Sequence, residues 1–317
     1  MESKIRLGIS RCLLGDPVRF DGSHKLDRFL VDTLGAYVDY VPVCPEVECG
    51  MGIPRETLRL VGDPERPRLV TSRTNKDHTA QMQAWAGRRV DELDQEQLCG
   101  FIFKSKSPSS GMERVKVYNE QNGIPVHRGV GLFARAFMDR FPLLPVEEEG
   151  RLHDPRLREN FIESIFVYRR WRELLAESRK LSGLVDFHTR HKLLVLSHSP
   201  ELYREMGRLV ARAREAGPAK SFGNYQALLM QSLRLKATVR KHTNVLQHMM
   251  GYFKKELSAD EKKELLDVIE QYHHELVPLV VPLTLINHYV RKYGQAYLKQ
   301  QFYLNPHPLE LKLRNHV

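Results

Sequence analysis

The 317-residue chain lacks any apolar run approaching the roughly 18 residues of a membrane helix. Its first residues lack the basic-then-apolar layout and small-residue cleavage site of a signal peptide. Four cysteines are too few for a disulfide scaffold in a chain of this length. We therefore expect a soluble cytoplasmic protein with no membrane partner, whose reduced thiols are available as ligands or nucleophiles.

Charge and sulfur are unevenly distributed along the sequence. Residues 181–317 hold 20 Lys and Arg against 12 Asp and Glu, a net charge of +8, while the first 180 residues hold 29 against 27. All four cysteines lie before residue 100. The basic excess favours a polyanionic partner such as nucleic acid. A solvated helical surface explains it equally well.

The first half of the chain alternates between strand and helix patterns. We predict strands over 5–10, 38–43 and 99–104, and helices over 25–34 and 79–97. This alternation indicates an α/β domain with a mainly parallel sheet. Polar loops at 12, 44 and 107 follow the three strands. Because ligands bind beyond the carboxyl ends of parallel strands, these loops predict a site.

The second half has only helical patterns and indicates an all-α domain. Residues 145–155 read as a surface segment, and Asp154-Pro155 begins a helix because Asp caps and Pro fits a first turn. We therefore expect an α/β domain over 1–150, a connecting helix over 151–180 and a helical domain over 181–317. No pattern indicates an oligomeric state.

The cysteine spacing alone gives little support for a metal site. No Cys-x-x-Cys pair occurs, so the usual zinc-ribbon and ferredoxin spacings are absent. A buried free thiol is the ordinary interpretation, and it fits Cys99 best because that residue opens an apolar strand. Cys12, Cys44 and Cys49 fit it less well, since they lie in loops containing Gly and Pro.

Motifs around these cysteines resemble the TudS-type thiouracil desulfidase family. The resemblance covers residues 1 to about 150 and rests on Ser10–Gly15, Val18–Gly22, Cys44–Glu46 and Lys104–Gly111. It implies a [4Fe–4S] cluster held by three cysteines, with the fourth iron open to the sulfur of a thiolated pyrimidine of thiouracil or thiouridine type. The implied reaction is a non-redox desulfuration.

One position departs from the family pattern, in which the third motif ends Ser-Pro-Ser-Cys-Gly. Here Ser110 stands at the cysteine position. Cys12 and Cys44 carry over as cluster ligands, and we predict Cys49 as the replacement third ligand because thiolate is the normal ligand of such clusters. The alternatives are a Ser110 oxygen ligand, a two-thiolate site, or a lost cluster.

Two polar residues near these loops are candidates for the chemistry. Glu46, two residues from Cys44, is the candidate acid–base group, and Ser107 the candidate for orienting substrate or water. A loop-capping carboxylate and an ordinary turn are the alternative interpretations of these two residues.

Residues from about 181 to 310 resemble the YbgA-like domain, through segments such as 184–192 and 240–253. Basic residues in these segments would suit a nucleic acid such as tRNA, with cations meeting phosphates. The candidates are His188, Arg190, His191, Lys192, Arg240 and Lys241. An alternative function is a non-catalytic, nucleic-acid-binding or stress-related protein whose first domain has lost its cluster.

Overall fold

Two four-stranded sheets form the N-terminal unit, which ends at Asp154. The computed structural model describes residues 4–316. The strands of this unit are β1 (Ile5–Ser10), β2 (Val38–Val43), β3 (Leu58–Val61), β4 (Arg68–Thr71), β5 (Phe101–Phe103), β6 (Val115–Tyr118), β7 (Pro125–Gly129) and β8 (Val146–Glu148). Its helices are α1 (Pro45–Glu48), α2 (Thr79–Gln95) and α3 (Leu132–Arg140).

The first sheet has the order β2-β1-β5-β8, with every neighbouring pair parallel. Leu7 and Ile9 on one face of β1 and Gly8 and Ser10 on the other are all buried, as expected for a central strand covered on both faces. Gly8 leaves room for the Phe101 ring, since a Cβ there would lie 2.2 Å from the ring. The predicted mainly parallel sheet is confirmed.

The second sheet, of order β4-β3-β6-β7, mixes one parallel pair with two antiparallel pairs. The sequence patterns did not predict these strands, which are four or five residues long and carry several exposed side chains. Such short strands give too few alternations for a period of two to stand out.

Two local predictions in this unit are wrong. The predicted helix over 25–34 is a π-helical turn, Phe29–Thr33, followed by a 3-10 turn, Leu34–Ala36. The predicted surface segment over 145–155 begins with β8, where Glu147 and Glu148 are 7% and 6% exposed. Hydrogen bonds from backbone and guanidinium groups to these carboxylates offset the cost of burying them.

The second unit begins at Pro155 and is helical, as predicted. Its helices are α4 (Pro155–Glu177), α5 (Leu181–His198), α6 (Pro200–Ala211), α7 (Ala213–Ala216), α8 (Pro218–Leu233), α9 (Val239–Met250), α10 (Ala259–His273), α11 (Val280–Lys292) and α12 (Ala296–Lys299). Trp171 of α4 packs against Phe187, Phe222 and Tyr225, with ring centroids 5.2–5.7 Å apart. Among residues 4–316, no helix combines the length and apolar character needed to cross a bilayer.

A buried ionic cluster connects α4 to the C-terminal residues of this unit. The Glu163 carboxylate accepts hydrogen bonds from His198 Nε2 at 2.6 Å and from the Arg314 guanidinium at 3.2 Å. Arg314 also pairs with Glu159 at 3.1 Å. None of these side chains is more than 13% exposed, so each charge depends on its partners for stabilisation.

Candidate active site

The carboxyl ends of β1, β2 and β5 open into a cleft of about 340 Å³. Its lining includes Cys12 after β1, Cys44 and Glu46 after β2, and Ser107 after β5. The Ser10 hydroxyl accepts a hydrogen bond from the backbone N–H of Lys104 at 2.8 Å, which ties two strand ends together. The three polar loops therefore meet at one edge of the sheet, as the parallel arrangement predicts.

Two of the four thiols line this cleft, those of Cys12 and Cys44. Burial, together with the nearby Glu46 charge, raises the pKa of Cys12 to about 11 and that of Cys44 to about 12. Both groups are therefore protonated thiols at neutral pH unless a cation stabilises the thiolates. A metal centre would supply that positive charge.

Cys49 lies at the end of α1 and is not among the residues that line the cleft. Its thiol donates a hydrogen bond to the Glu46 carbonyl oxygen at 3.3 Å. Cys99 is 2% exposed, directly before β5, and is also absent from the lining. Within the described part of the chain, no three His, Cys, Asp or Glu side chains are grouped closely enough to hold a metal ion.

The Glu46 carboxylate links the second and third loops. One oxygen accepts a short hydrogen bond from the Ser109 hydroxyl, and the other accepts one from the Cys44 thiol at 3.6 Å. The Arg55 guanidinium lies 3.9 Å from the same carboxylate. Ser109 and Ser107 hydroxyl oxygens are 2.9 Å apart. The Ser109 hydroxyl donates its proton to Glu46, so it must accept from the Ser107 hydroxyl. The three groups therefore form a continuous hydrogen-bond chain from Ser107 to the Glu46 carboxylate.

Ser110 lies beside this chain and lines the cleft together with Cys12 and Cys44. Its backbone N–H donates to the Ser107 hydroxyl oxygen at 3.1 Å. Its own hydroxyl makes no hydrogen bond to any other group in residues 4–316, although Ser110 is only 3% exposed. Gly131 packs directly against the Ser109–Ser110 peptide, where a Cβ would lie 2.5 Å from the Ser109 carbonyl.

Sequence reasoning missed two groups that support these loops. Glu149 accepts hydrogen bonds from the Ser105 N–H and hydroxyl and from Lys104, and these bonds lower its pKa despite its burial. Glu148 accepts from the Met112 N–H at 2.7 Å. Ser109 lies within the Lys104–Gly111 motif, and its contact with Glu46 is a third such group. No pattern in the sequence connects residues that are 36 or more positions apart, so only the fold reveals these partners.

Cations dominate the rest of the lining. Six basic side chains face two carboxylates, Glu46 and Glu56; they are Arg11, Arg19, Lys25, Arg55, Lys104 and Lys106. Arg11 pairs with Asp16 and Lys104 with Glu149. Lys25 and Lys106 are exposed and form no ion pair within residues 4–316. The cleft is therefore suited to an anionic ligand.

Two of the predicted nucleic-acid contacts are buried in the second unit. His188 is 8% exposed, and burial lowers its pKa to about 4. His191 is 1% exposed, stacked between Phe187 and Phe302, and burial holds its pKa well below the usual value. Both rings are therefore uncharged at neutral pH and stabilise the helical core.

Groups of the protein itself contact three of the four remaining predicted residues. Arg190 lies over the Phe302 ring, and Lys192 lies 4.8 Å from the centre of the Tyr297 ring. Lys241 donates to the carbonyl oxygens of His198 and Lys236. Arg240 is exposed on α9. Packing within the protein thus engages most of these cations.

Comparisons with known proteins match each half of the chain separately. The 2-thiouracil desulfurase family matches residues 7–149, and a protein family of unknown function, DUF1722, matches residues 192–308. The [4Fe-4S]-dependent thiouracil desulfidase TudS, a solved structure, shares 29% identity and a TM-score of 0.39, covering 48% of this chain and 95% of its own.

A curated relative covers half of the chain. The uncharacterized protein YbgA of Escherichia coli (strain K12) is 32% identical over 161 residues, which are 50% of this chain and 95% of YbgA. Residues 7–149 match the 2-thiouracil desulfurase family, and the chain belongs to the YbgA family.

Proposed function

We propose that this chain removes the sulfur of a thiolated pyrimidine by an iron–sulfur-dependent, non-redox hydrolysis in the cleft. The observation that carries the proposal is the meeting of the Cys12 and Cys44 thiols with the Glu46 carboxylate in that cleft. This happens within a domain that matches the 2-thiouracil desulfurase family over residues 7–149.

The donors in the cleft fit an iron–sulfur cluster. Iron–sulfur clusters are held by thiolates, and Cys12 and Cys44 supply two from separate loops. Cys49, the third ligand predicted from the sequence, lies outside the cleft lining, where Ser110 instead offers a hydroxyl. When bound, a [4Fe–4S] cluster with one iron free of protein ligands supplies a Lewis acid with affinity for sulfur.

The protein's own groups supply the proton chemistry. Water adds to the carbon of the C=S group, the C–S bond breaks, and the products are a carbonyl and hydrogen sulfide, so no oxidant or reductant is needed. Glu46 takes the proton from the attacking water. The Ser107–Ser109 hydroxyl chain donates to the carboxylate and orients it.

The basic lining supports a nucleotide as the substrate. Lys25 and Lys106 have no ionic partner among the described residues, so a phosphate group would meet charges that are already exposed for it. A free thiouracil base would leave these cations unused. We therefore expect a thiouridine phosphate to bind more tightly than the free base.

The nucleic-acid partner predicted for residues 181–317 remains a prediction supported by their net charge of +8. Association with tRNA should weaken steeply as salt is added if phosphates supply the contacts. Salt-independent association, or none, would contradict it.

Anaerobic purification and reconstitution of the full chain tests the proposed activity. We expect a brown protein with broad visible absorbance and about four irons per chain, consistent with one [4Fe–4S] cluster. It should convert a thiouridine phosphate to the uridine phosphate with stoichiometric sulfide release. Cys12→Ala and Cys44→Ala should each lose the colour and the activity, whereas Cys99→Ala, the matched control outside the cleft, should keep both.

A colourless protein after anaerobic reconstitution would contradict the proposal and favour a non-catalytic role for the chain. Equal cluster content in the Cys12→Ala variant and the unaltered protein would contradict the assignment of that ligand.

A further inference from the structure

We propose that the third protein ligand of the cluster is the hydroxyl oxygen of Ser110 and not a thiolate, an inference that rests on the proposed function. The chain would then bind its cluster through two sulfur atoms and one oxygen atom. Cys49 would have a structural role in the loop after β2.

Position favours Ser110 over Cys49. Ser110 lines the same cleft as Cys12 and Cys44, in the loop that follows β5. Cys49 is absent from that lining, and its thiol already donates to the Glu46 carbonyl oxygen. The Cys49 carbonyl oxygen accepts from Gln81 Nε2 at 2.7 Å, which fixes the backbone there.

The Ser110 hydroxyl is not engaged by its neighbours among residues 4–316. Its neighbours Ser107 and Ser109 bond to each other and to Glu46, but the Ser110 hydroxyl bonds to nothing in residues 4–316. Ser110 is 3% exposed and lines the cleft, so its hydroxyl is available to a group bound there.

The backbone holds this oxygen in place. The Ser110 N–H is bonded to Ser107, and the Gly111 N–H donates to the Ser107 carbonyl at 2.8 Å. The Ser109 carbonyl accepts from the N–H groups of Phe133 and Ala134 in the first turn of α3. A ligand on a rigid loop needs little reorganisation to bind, which suits a metal site.

Coordination replaces the O–H bond of Ser110 by an iron–oxygen bond, and the proton leaves to solvent without electron transfer. Oxygen is a harder donor than thiolate and matches an iron–sulfur cluster less well. The iron held by Ser110 should therefore exchange more readily than the two held by thiolates.

The test compares four proteins after anaerobic reconstitution: the unaltered chain, Ser110→Ala, Ser110→Cys and Cys49→Ala. We measure visible absorbance, iron and sulfide content, and the rate of iron loss to excess chelator. Mössbauer spectra use isotopically enriched iron. Thermal unfolding checks that each variant is folded, which is expected because the Ser110 hydroxyl has no bond to the described protein.

We expect Ser110→Ala to lose iron faster than the unaltered chain, and Ser110→Cys to lose it more slowly, each by roughly tenfold, the scale on which changes around a metal alter its affinity. Cys49→Ala should match the unaltered chain. The Mössbauer spectrum should contain an oxygen-ligated iron component that disappears in Ser110→Cys.

Loss of the cluster in Cys49→Ala, with Ser110→Ala unaffected, would overturn the Ser110 ligand and leave the proposed function intact. Identical iron loss from all four proteins would do the same. A cluster that forms in Ser110→Cys but not in the unaltered chain would also overturn it. Failure of both to bind a cluster would instead refute the proposed function, and the inference with it.

Discussion

Gly131→Ala should disturb the candidate site through backbone packing alone. Gly131 precedes α3 with φ −61° and ψ 144°, an extended conformation that alanine adopts without strain. An added Cβ, however, would lie 2.5 Å from the carbonyl carbon and oxygen of Ser109 and 2.7 Å from the Ser110 nitrogen. These are backbone atoms, and the Ser109 carbonyl is fixed by hydrogen bonds from α3. The loop that carries Ser110 must therefore move.

The expected cost follows from the overlap. Inserting a methyl group into a close-packed contact costs typically about 1–3 kcal/mol. We expect a decrease of about 2 kcal/mol in the free energy of unfolding of the N-terminal unit, or roughly 4–8 °C in Tm for a unit of this size. Displacement of Ser107 and Ser110 should also lower cluster retention and activity.

Gly87→Ala provides a matched control in the same unit. Gly87 lies inside α2, and an added Cβ would meet nothing within 4 Å. Alanine in a helix interior should raise stability by about 0.5–1 kcal/mol. Denaturant and thermal unfolding of the full-length variants, with iron content after reconstitution, check both expectations. A Gly131→Ala protein as stable as the unaltered chain, with full iron content, would refute the packing argument.

Two further predictions address the hydrogen-bond chain and the second unit. Ser109→Ala breaks the hydrogen-bond connection between Ser107 and Glu46, so turnover should fall by about 100-fold, at the lower end of the range for lost acid–base assistance. The iron content should stay unchanged. Unchanged turnover would exclude a role for this hydrogen-bond chain in the reaction. In the second unit, burial alone would raise the pKa of Glu163, but His198 and Arg314 outweigh it and lower the pKa to about 2. The ionised Glu163 carboxylate stabilises the fold above its ordinary pKa of 4.5, and this contribution is lost as pH falls towards 2. The contribution is about 3 kcal/mol, because each unit of pKa shift corresponds to about 1.36 kcal/mol. Denaturant unfolding should show the free energy of unfolding decreasing from pH 6 to pH 2.5, and Glu163→Gln should make this decrease smaller. Equal pH dependence in the two proteins would refute the pairing of Glu163 with His198 and Arg314.

The architecture was largely predictable because it depends on local patterns. The alternation of apolar strands and amphipathic helices indicated an α/β unit, and the helix that begins at Pro155 was expected from Asp-Pro. The capping box of Ser258 and Glu261 at the start of α10 is another local pattern of this kind. The second sheet escaped prediction because its strands are short and partly exposed.

The histidines illustrate the limit of spacing arguments. His188 and His191 share one helix face with basic neighbours, which indicated a phosphate-binding surface. The structure places that face against Tyr225 and Phe302, where burial keeps both rings neutral. Helical spacing identifies which side chains share a face, but only packing decides whether that face meets solvent.

The sequence by itself determined that polar loops bearing Cys12, Cys44 and Ser107 follow parallel strands, because strand ends are local properties of the chain. Only the tertiary structure decided which groups complete the site. Ser110 lines the cleft, whereas Cys49 does not. The fold also brings the Ser109 hydroxyl into hydrogen-bond contact with Glu46, which is 63 positions away in the sequence. Strand order and the close contact of Gly131 bring these residues together, and neither is encoded in the spacing of the residues themselves.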